Sequence, residues 1–332
     1  MKTALALCWG SLFGYNLEEC IMKKVLCAGE ALIDFVSTKP GASLKDTDGF
    51  VRKAGGAPAN VAAAISKLGA EAYFCGTVGN DFFGQFLEET FKKNNINTDM
   101  MIKLDNKNTT LAFVSLKEDG DRDFRFMRDA DSELSFDEVY DKLDQFDLFH
   151  FGSATAFLDG ELKNTYYKLK DYAKENNKII TFDANYRDAL FSDKKEEFIK
   201  CCKDFIKDSN IVKLSEEEAV LISEIDNIEK AAEYIVSLGC ENLIITLGKK
   251  GALLTTKEKQ VLIPAKEVKM VDATGAGDAF IGAVIAQVLN NKEKDIEEII
   301  KIANLVGGIT TKKLGALESI PTWDEIEKEM NV

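Results

Sequence analysis

A glycine-rich turn followed by a single acid carries the clearest chemistry in this sequence. Residues 271–282 are Val-Asp-Ala-Thr-Gly-Ala-Gly-Asp-Ala-Phe-Ile-Gly. Gly275, Ala276 and Gly277 are small enough for successive backbone N–H groups to point at one spot, and the apolar run at 279–289 predicts a helix that starts beside them. Because the first N–H groups of a helix have no acceptor within the helix, this turn is predicted to bind an anion.

Asp278 lies inside this predicted anion site, where an acid is out of place if the only task is to hold a phosphate. A carboxylate beside bound phosphate fits a general base that takes the proton of a hydroxyl as its oxygen attacks a phosphoryl group. The turn therefore predicts a kinase, with Asp278 as base and the backbone of 275–277 as anion hole. A glycine-capped tight turn without a ligand is the simpler alternative.

The spacing of the glycines argues against two other phosphate-binding loops. The sequence contains no Gly-x-x-x-x-Gly-Lys-Ser/Thr motif, so a P-loop is absent. A dinucleotide fingerprint that begins at Gly275 would need glycine at position 280, where Phe280 stands. A dinucleotide-dependent oxidoreductase is therefore disfavoured.

Composition narrows the class of protein further. The chain has 332 residues, enough for one large α/β domain or two modest ones, and its 45% apolar and 9% aromatic content is typical of a globular protein. A net charge of −14 argues against nucleic acid or an anionic membrane as partner. No apolar run reaches the roughly 18 residues that a membrane span requires.

Cysteine and histidine usage argues against disulfide, zinc and histidine chemistry. The seven cysteines are an odd number without C-x-x-C spacing, which indicates reduced thiols and a cytoplasmic protein. His150 is the sole histidine and lies in a strand-like segment, where a core position is expected. A zinc site and a histidine-dependent triad are therefore poorly supported.

The hydrophobic pattern alternates between strand-like and helical segments from residue 24 onward. Strands are predicted at 25–29, 72–78, 148–151, 179–182, 211–214 and 243–247, and helices at 58–68 and 82–93. Such alternation predicts a doubly wound, three-layer α/β/α fold around a mostly parallel sheet.

Two pairs of short strands interrupt this alternation. The first pair is predicted at 31–36 and 50–53, and the second at 110–116 and 123–127, with a hairpin turn at 117–121. These strands do not extend a parallel core easily, so we expect a small β-sheet beside it. A lid over a ligand cleft and a surface appendage are both open interpretations.

The first residues of the chain also permit two interpretations. Met1 and Lys2 precede a short apolar stretch that resembles a weak secretory signal. Met22, in contrast, is followed by two lysines and the first strand, as at a natural start of translation. We favour the second interpretation and treat residues 1–22 as an N-terminal extension outside the fold.

A second glycine-rich motif lies near the first predicted helix. Residues 54–61 are Ala-Gly-Gly-Ala-Pro-Ala-Asn-Val, in which Gly55 and Gly56 allow a ligand to approach the backbone. Asn60 carries both donors and acceptors, as polyhydroxylated ligands require. Taken alone, this segment is more often a plain junction between a loop and a helix.

The two motifs together resemble the N- and C-terminal signatures of the ribokinase-like (PfkB) carbohydrate kinases, and the chain is most similar to bacterial fructokinases. The resemblance implies a kinase domain over residues 23–325, with lid strands at about 31–53 and 109–128. It implies ATP and Mg²⁺, and a K⁺ ion in many members. The partners would be a small-molecule sugar and ATP, in the cytoplasm, and a homodimer stays open.

The resemblance also assigns residues to the two substrates. Asp34, Asn60, Gly55, Gly56, Arg128 and Arg187 would face the sugar, and Arg187 follows a predicted core strand at the end where doubly wound folds bind ligands. The nucleotide would meet Lys213, Ser215, Glu218, Thr246, Gly248, Gly251 and Asn304.

One part of the nucleotide site departs from the family pattern. Ser215 replaces the asparagine of the Asn-x-x-Glu element, which puts direct metal contact at position 215 in doubt, whereas Glu218 matches the acid that acts on Mg²⁺ through water. A helix N-terminus rich in glutamate is the alternative interpretation. A monovalent-cation site is assigned to Asp272, Thr274, Thr310, Gly315 and Ser319, some of them through backbone carbonyls.

The resemblance implies transfer of the γ-phosphoryl group of ATP to a hydroxyl of a small sugar, with D-fructose giving fructose 6-phosphate as the first expectation. Kinases for 2-keto-3-deoxygluconate, ribose or a riboside remain alternatives, because sequence spacing does not position pocket side chains finely. A catalytically silent sugar-binding regulator is the alternative of another class.

Overall fold

A nine-stranded sheet forms the centre of the molecule, and a separate four-stranded sheet lies beside it. The computed structural model describes residues 23–39, 41–116, 122–290 and 294–330, so the extension at 1–22 and the turn at 117–121 lie outside the described residues. The strands are β1 Lys24–Ala28, β2 Leu32–Ser37, β3 Phe50–Gly55, β4 Glu71–Gly79, β5 Asn97–Leu104, β6 Leu111–Leu116, β7 Arg122–Met127, β8 Leu148–Phe151, β9 Ile179–Asp183, β10 Ile211–Ser215, β11 Asn242–Thr246, β12 Ala252–Thr255 and β13 Gln260–Ile263.

The central sheet has the order β13-β12-β11-β10-β9-β8-β1-β4-β5 and is parallel except at one edge, where β12 and β13 pair antiparallel. The chain passes from β1 to β4 and β5 on one side and returns to β8 on the other. A crevice at the carboxyl ends of the strands is expected at such a reversal. The predicted mostly parallel, doubly wound sheet is confirmed.

Helices cover both faces of this sheet. They are α1 Ala57–Lys67, α2 Phe82–Lys93, α3 Glu161–Glu175, α4 Asp188–Phe191, α5 Lys195–Asp208, α6 Glu216–Ser223, α7 Ile228–Ser237, α8 Ala276–Asn290, α9 Ile296–Thr310 and α10 Trp323–Met330. Val25 and Cys27 of β1 belong to one buried apolar cluster, and the alternating Leu26 and Ala28 belong to the other. Both faces of the strand are therefore packed, as a parallel core requires. Across the part of the chain that the structure describes, no helix is long and apolar enough to cross a membrane.

The smaller sheet has the order β3-β2-β6-β7. Both predicted antiparallel pairs are present, β2 with β3 and β6 with β7, and a parallel pairing of β2 with β6 joins them. Phe35 of β2 stacks on Phe113 of β6 with ring centroids 5.3 Å apart, and Phe83 of α2 packs edge-on against Phe35 at 5.7 Å. These rings fasten the small sheet to the main body.

The sequence pattern missed β5 and β13, the two edge strands of the central sheet. The residues of β5 are half-buried or exposed except for Met100, and those of β13 except for Ile263, so both strands lack a continuous apolar run. Helix α8 begins at Ala276, three residues before its predicted start, so that Ala276, Gly277 and Asp278 form its first turn.

Close packing of α1 against α8 fixes the first turn of α8. A Cβ atom on Gly282 of α8 would lie 2.5 Å from the Cβ of Ala64 and 3.0 Å from the carbonyl oxygen of Val61, both in α1. Gly308 of α9 is a matched position, because a Cβ there would make ordinary contacts of 3.5 and 3.6 Å with Val268.

We expect Gly282→Ala to lower the free energy of unfolding by about 1–3 kcal/mol, because the added methyl group pushes α1 and α8 apart. Gly308→Ala should leave it unchanged or raise it by up to about 1 kcal/mol, because alanine favours the helix. Urea unfolding of the two variants measures the difference. Equal effects would contradict the tight contact between the helices.

Candidate active site

A cleft of about 720 Å³ opens at the carboxyl ends of the central strands, with the small sheet over one side of it. Its wall combines glycines, two amides, several carboxylates and two cationic side chains. The polar and glycine residues that line it are Glu30, Asp34, Gly56, Asn60, Asn185, Arg187, Lys213, Ser215, Glu217, Glu218, Thr274, Gly275, Gly277 and Asp278. The carboxyl ends of parallel strands thus bring together residues that are far apart in sequence.

The first turn of α8 presents backbone donors to this cleft. Gly275 has a φ of +76°, and a Cβ atom there would lie 2.7 Å from the Cβ of Ala316, so both the conformation and the space require glycine. The N–H of Ala276 donates to the carbonyl of Ala273 at 3.2 Å. Within the described chain, no backbone hydrogen bond uses the N–H of Gly275 or Gly277. These two groups remain available to an anionic ligand.

The carboxylate of Asp278 is partly buried in the cleft and accepts a 2.8 Å hydrogen bond from Nδ2 of Asn60. Burial raises the pKa of Asp278 to about 6, and the nearby carboxylate of Asp183 adds to this effect. The Asn60 hydrogen bond and the charges of Lys213 and Arg187 act in the opposite direction. A carboxylate whose pKa lies near neutrality can both accept and release a proton at working pH.

The first turn of α1, which carries Asn60, is held in place by a buried acid that the sequence reasoning did not identify. Glu30 follows β1, and its Oε1 accepts a 3.2 Å hydrogen bond from the N–H of Ala57, while Ser153 Oγ donates to its Oε2. Gly56 has a φ of +111°, and a Cβ there would collide with the Glu30 carbonyl. Among the described residues, the buried Asn60 Oδ1 has no hydrogen-bond partner, so it can accept from a ligand hydroxyl.

A second group of charges lies at the ends of β9 and β10. Lys213 Nζ is 3.0 and 3.2 Å from the two carboxylate oxygens of Asp183, and both residues are buried. Burial favours a lower pKa for Lys213, but the charges of Asp183 and Glu218 outweigh it, so the pKa is raised and the ammonium form persists. Asp183 was also missed, although a lone acid at the end of an apolar strand is a visible signal.

Ser215 and Glu218 form the start of α6. Ser215 Oγ accepts from the N–H of Glu218 at 3.1 Å, and Glu218 Oε2 accepts from the N–H of Ser215 at 2.8 Å, which is a capping box. Glu218 Oε1 accepts from the N–H of Tyr186 at 2.8 Å. Burial raises the pKa of Glu218. The glutamate-rich helix start expected as an alternative is therefore present, and its first residues also line the cleft.

Two predicted arginines differ in their placement. Arg187 lines the cleft, and its Nη1 donates to the carbonyl of Tyr186 at 2.9 Å. Arg128 lies outside the cleft wall, where its Nε donates to Asp131 at 2.9 Å, and its buried Nη2 has no partner within the part of the chain that the structure describes. Asp34 lies in the cleft wall against Gly55, where a Cβ would collide with its carboxylate.

The remaining residues that were predicted to meet the nucleotide do not line the cleft. Thr246 ends β11, and its Oγ1 donates to the Leu214 carbonyl at 3.3 Å. Gly251 has a φ of +109° and a Cβ there would collide with the Ile263 carbonyl, which also accepts a 3.0 Å hydrogen bond from Asn304 Nδ2. Gly248 also has a positive φ, of +56°.

The residues that were predicted to bind a monovalent cation connect two loops next to the start of α8. Asp272 accepts from the N–H and Oγ1 of Thr274 at 3.0 and 2.6 Å, and from the N–H of Gly315 at 3.0 Å. Ser319 Oγ is buried without a hydrogen-bond partner, whereas Thr310 Oγ1 donates to Val306 within its own helix. The residues covered by the structure contain no cluster of three or more His, Cys, Asp or Glu side chains suited to a metal ion.

Comparisons with protein families, with individual proteins and with solved structures agree on one family. A profile described as pfkB family carbohydrate kinase matches residues 22–323. The chain is 36% identical to a probable fructokinase-4 of Arabidopsis thaliana over 314 residues, which covers 91% of this chain and 95% of that protein.

Among solved structures, an uncharacterized sugar kinase from Pyrococcus horikoshii in complex with ATP has a TM-score of 0.83 and 34% identity, covering 92% of this chain and 97% of that one. A fructokinase double mutant from Vibrio cholerae O395, in fructose, ADP and potassium ion bound form, has a TM-score of 0.82 and 27% identity, covering 92% and 98%. Together with the cleft and its acid, these matches show that the chain belongs to the pfkB family of carbohydrate kinases.

Proposed function

We propose that this carbohydrate kinase transfers the γ-phosphoryl group of ATP to D-fructose and forms fructose 6-phosphate. The observation that carries the proposal is the position of Asp278 in the cleft, in the first turn of α8, beside Gly275 and Gly277, whose N–H groups have no backbone acceptor among the described residues. The similarity to fructokinases, and to kinase structures that hold ATP or fructose, supports the choice of substrates.

In the proposed reaction Asp278 accepts the proton of the sugar hydroxyl as its oxygen forms a bond to the γ-phosphorus. The bond between the γ-phosphorus and the bridging oxygen breaks, and ADP leaves with that oxygen. The free N–H groups of Gly275 and Gly277 donate to the oxygens of the transferring group, whose charge they stabilise. Asn60 fixes the orientation of the Asp278 carboxylate through the 2.8 Å hydrogen bond.

The acidic start of α6 fits a divalent cation held through water, because Glu217 and Glu218 both line the cleft. When bound, Mg²⁺ neutralises phosphate oxygens. We assign Glu218 to a contact with Mg²⁺ through water, and not to direct coordination of the ion.

For a monovalent cation, the buried Ser319 hydroxyl without a partner fits an oxygen ligand, and Asp272 lies in the same pair of loops. Thr310, whose hydroxyl is already bonded within α9, would contribute only its carbonyl oxygen.

The sugar side of the cleft is assigned to Asp34, Gly55, Gly56, Asn60 and Arg187. Asp34 belongs to β2 of the small sheet, so we interpret that sheet as a lid that excludes water from the reaction. Arg128 would have to move from Asp131 to reach the sugar. We propose the cytoplasm as the place of action, since ATP is available there and the free cysteines of the described residues are buried.

The first test is Asp278→Asn, which keeps the shape of the side chain but removes the base. We expect kcat to fall by about 10²–10⁴-fold with little change in the affinity for ATP. Coupled measurement of ADP release gives kcat, and calorimetric titration gives the affinity. The matched control is Asp295→Asn at the exposed N-cap of α9, where asparagine caps equally well and activity should not change. Near-normal turnover of Asp278→Asn would overturn the mechanism.

The pH dependence of kcat/KM provides a second test. Burial raises the pKa of Asp278 to about 6, so the base is ionised above this pH and protonated below it. Activity should therefore fall about tenfold per pH unit below about pH 6. A limb near pH 4, the ordinary range of an aspartate, would show that burial does not control the base.

A panel of acceptors identifies the sugar. We expect ADP release with fructose to exceed that with ribose, a riboside or 2-keto-3-deoxygluconate, and the phosphate to appear on the 6-hydroxyl by NMR. Preference for another acceptor would change the substrate while keeping the kinase. Sugar binding without ADP release for any acceptor would instead indicate a silent regulator.

A further inference from the structure

The buried ion pair of Asp183 and Lys213 lies directly under the first turn of α8. A Cβ atom on Gly277 would be 2.9 Å from Lys213 Nζ, so the ammonium can lie this close to the anion site only because residue 277 has no side chain. Asp183 holds the other side of the ammonium at 3.0 Å. The positive end of the pair thus faces the place where phosphate charge would accumulate.

A purely structural role explains this arrangement poorly. Removing two charges from water costs free energy, and a buried ion pair seldom stabilises a fold more than apolar side chains of similar size would. Lys213 and Asp183 are paired residues on neighbouring strands, β10 and β9, where apolar side chains would extend the core on the face of the sheet that carries Ile211. Lys213 instead lines the cleft, with Asp183 buried beside it.

Resting on the proposed function, we propose that Asp183 and Lys213 are a positioning pair for phosphoryl transfer: Lys213 keeps Asp278 ionised and supports the Gly277 backbone, and Asp183 limits that effect. The two residues act through Asp278, and neither is required to touch the sugar. Electrostatics supports the assignment, because Lys213 acts to lower the pKa of Asp278 and Asp183 acts to raise it.

Other charged residues line the same cleft as Asp278. They are Glu30 after β1, Asp34 on β2, Arg187 after β9, and Glu217 and Glu218 on α6. His150 on β8 lies behind the pair; burial lowers its pKa to about 3, so it stays neutral in the range of the experiment. None of these groups is changed in the variants below, so a difference between the variants reports the pair alone.

The experiment compares the acid limb of kcat/KM in Lys213→Met and Asp183→Asn. Loss of the positive charge should raise the pKa of Asp278 and move the limb to higher pH by about 1 unit, whereas loss of the negative charge should move it to lower pH by a similar amount. The double variant should lie between the two single variants. A role in folding alone does not produce shifts of opposite sign.

Lys170→Met is the matched control. Lys170 is a buried lysine whose Nζ is 2.6 Å from Asp208, and it lies outside the cleft, so its loss should lower the melting temperature without moving the acid limb. If Lys213→Met does not fold, Asp183→Asn and the charge-balanced double variant decide the sign. Shifts in the same direction, or no shift, would overturn the inference. The loss of activity in Asp278→Asn would stand in that case, so the two proposals fail separately.

Discussion

The hydrogen bond from Asn60 to Asp278 joins helices α1 and α8, and the geometry of the site depends on it. The two residues are 218 positions apart in the sequence. Helix α8 can bring its first turn to the cleft only because α1 packs closely against it at Gly282. Asn60 lies on α1, whose start is in turn fixed by Glu30 at the end of β1. The catalytic geometry is therefore a property of core packing, and a small displacement between two helices would change the direction of the carboxylate.

Burial and charge oppose each other at this carboxylate. A fully exposed aspartate would be ionised but weakly basic, and a buried one without neighbours would remain protonated at neutral pH. Here burial raises the pKa of Asp278, while the Asn60 amide and two cations hold it to about 6. The result is a carboxylate that is ionised at neutral pH and more basic than an exposed aspartate, as the proposed role of a general base requires.

Sequence reasoning predicted the strands that have continuous apolar runs, and both hairpin pairs of the small sheet. It missed β5, whose outer position removes the need for an apolar pattern on both faces. In the site, the two glycine-rich motifs identified the first turn of α8 and the turn before α1 as candidate ligand-binding segments. Glu30 and Asp183 were missed because their importance comes from contacts with Ala57 and Lys213 in other segments. For the same reason the sequence could not show that Arg128 is paired with Asp131 and lies away from the cleft wall.

A protein with a net charge of −14 must attract a polyanionic nucleotide by local means. At distances beyond about 8–10 Å, salt screens most of the repulsion from surface carboxylates. Within the cleft, two free backbone N–H groups, Lys213 and Arg187 supply donors whose positions are fixed before the ligand arrives. Fixed donors stabilise charge without first reorganising, which water and mobile side chains must do. The acidic surface therefore does not conflict with the proposed binding of phosphate at a fixed helix start with two cations beside it.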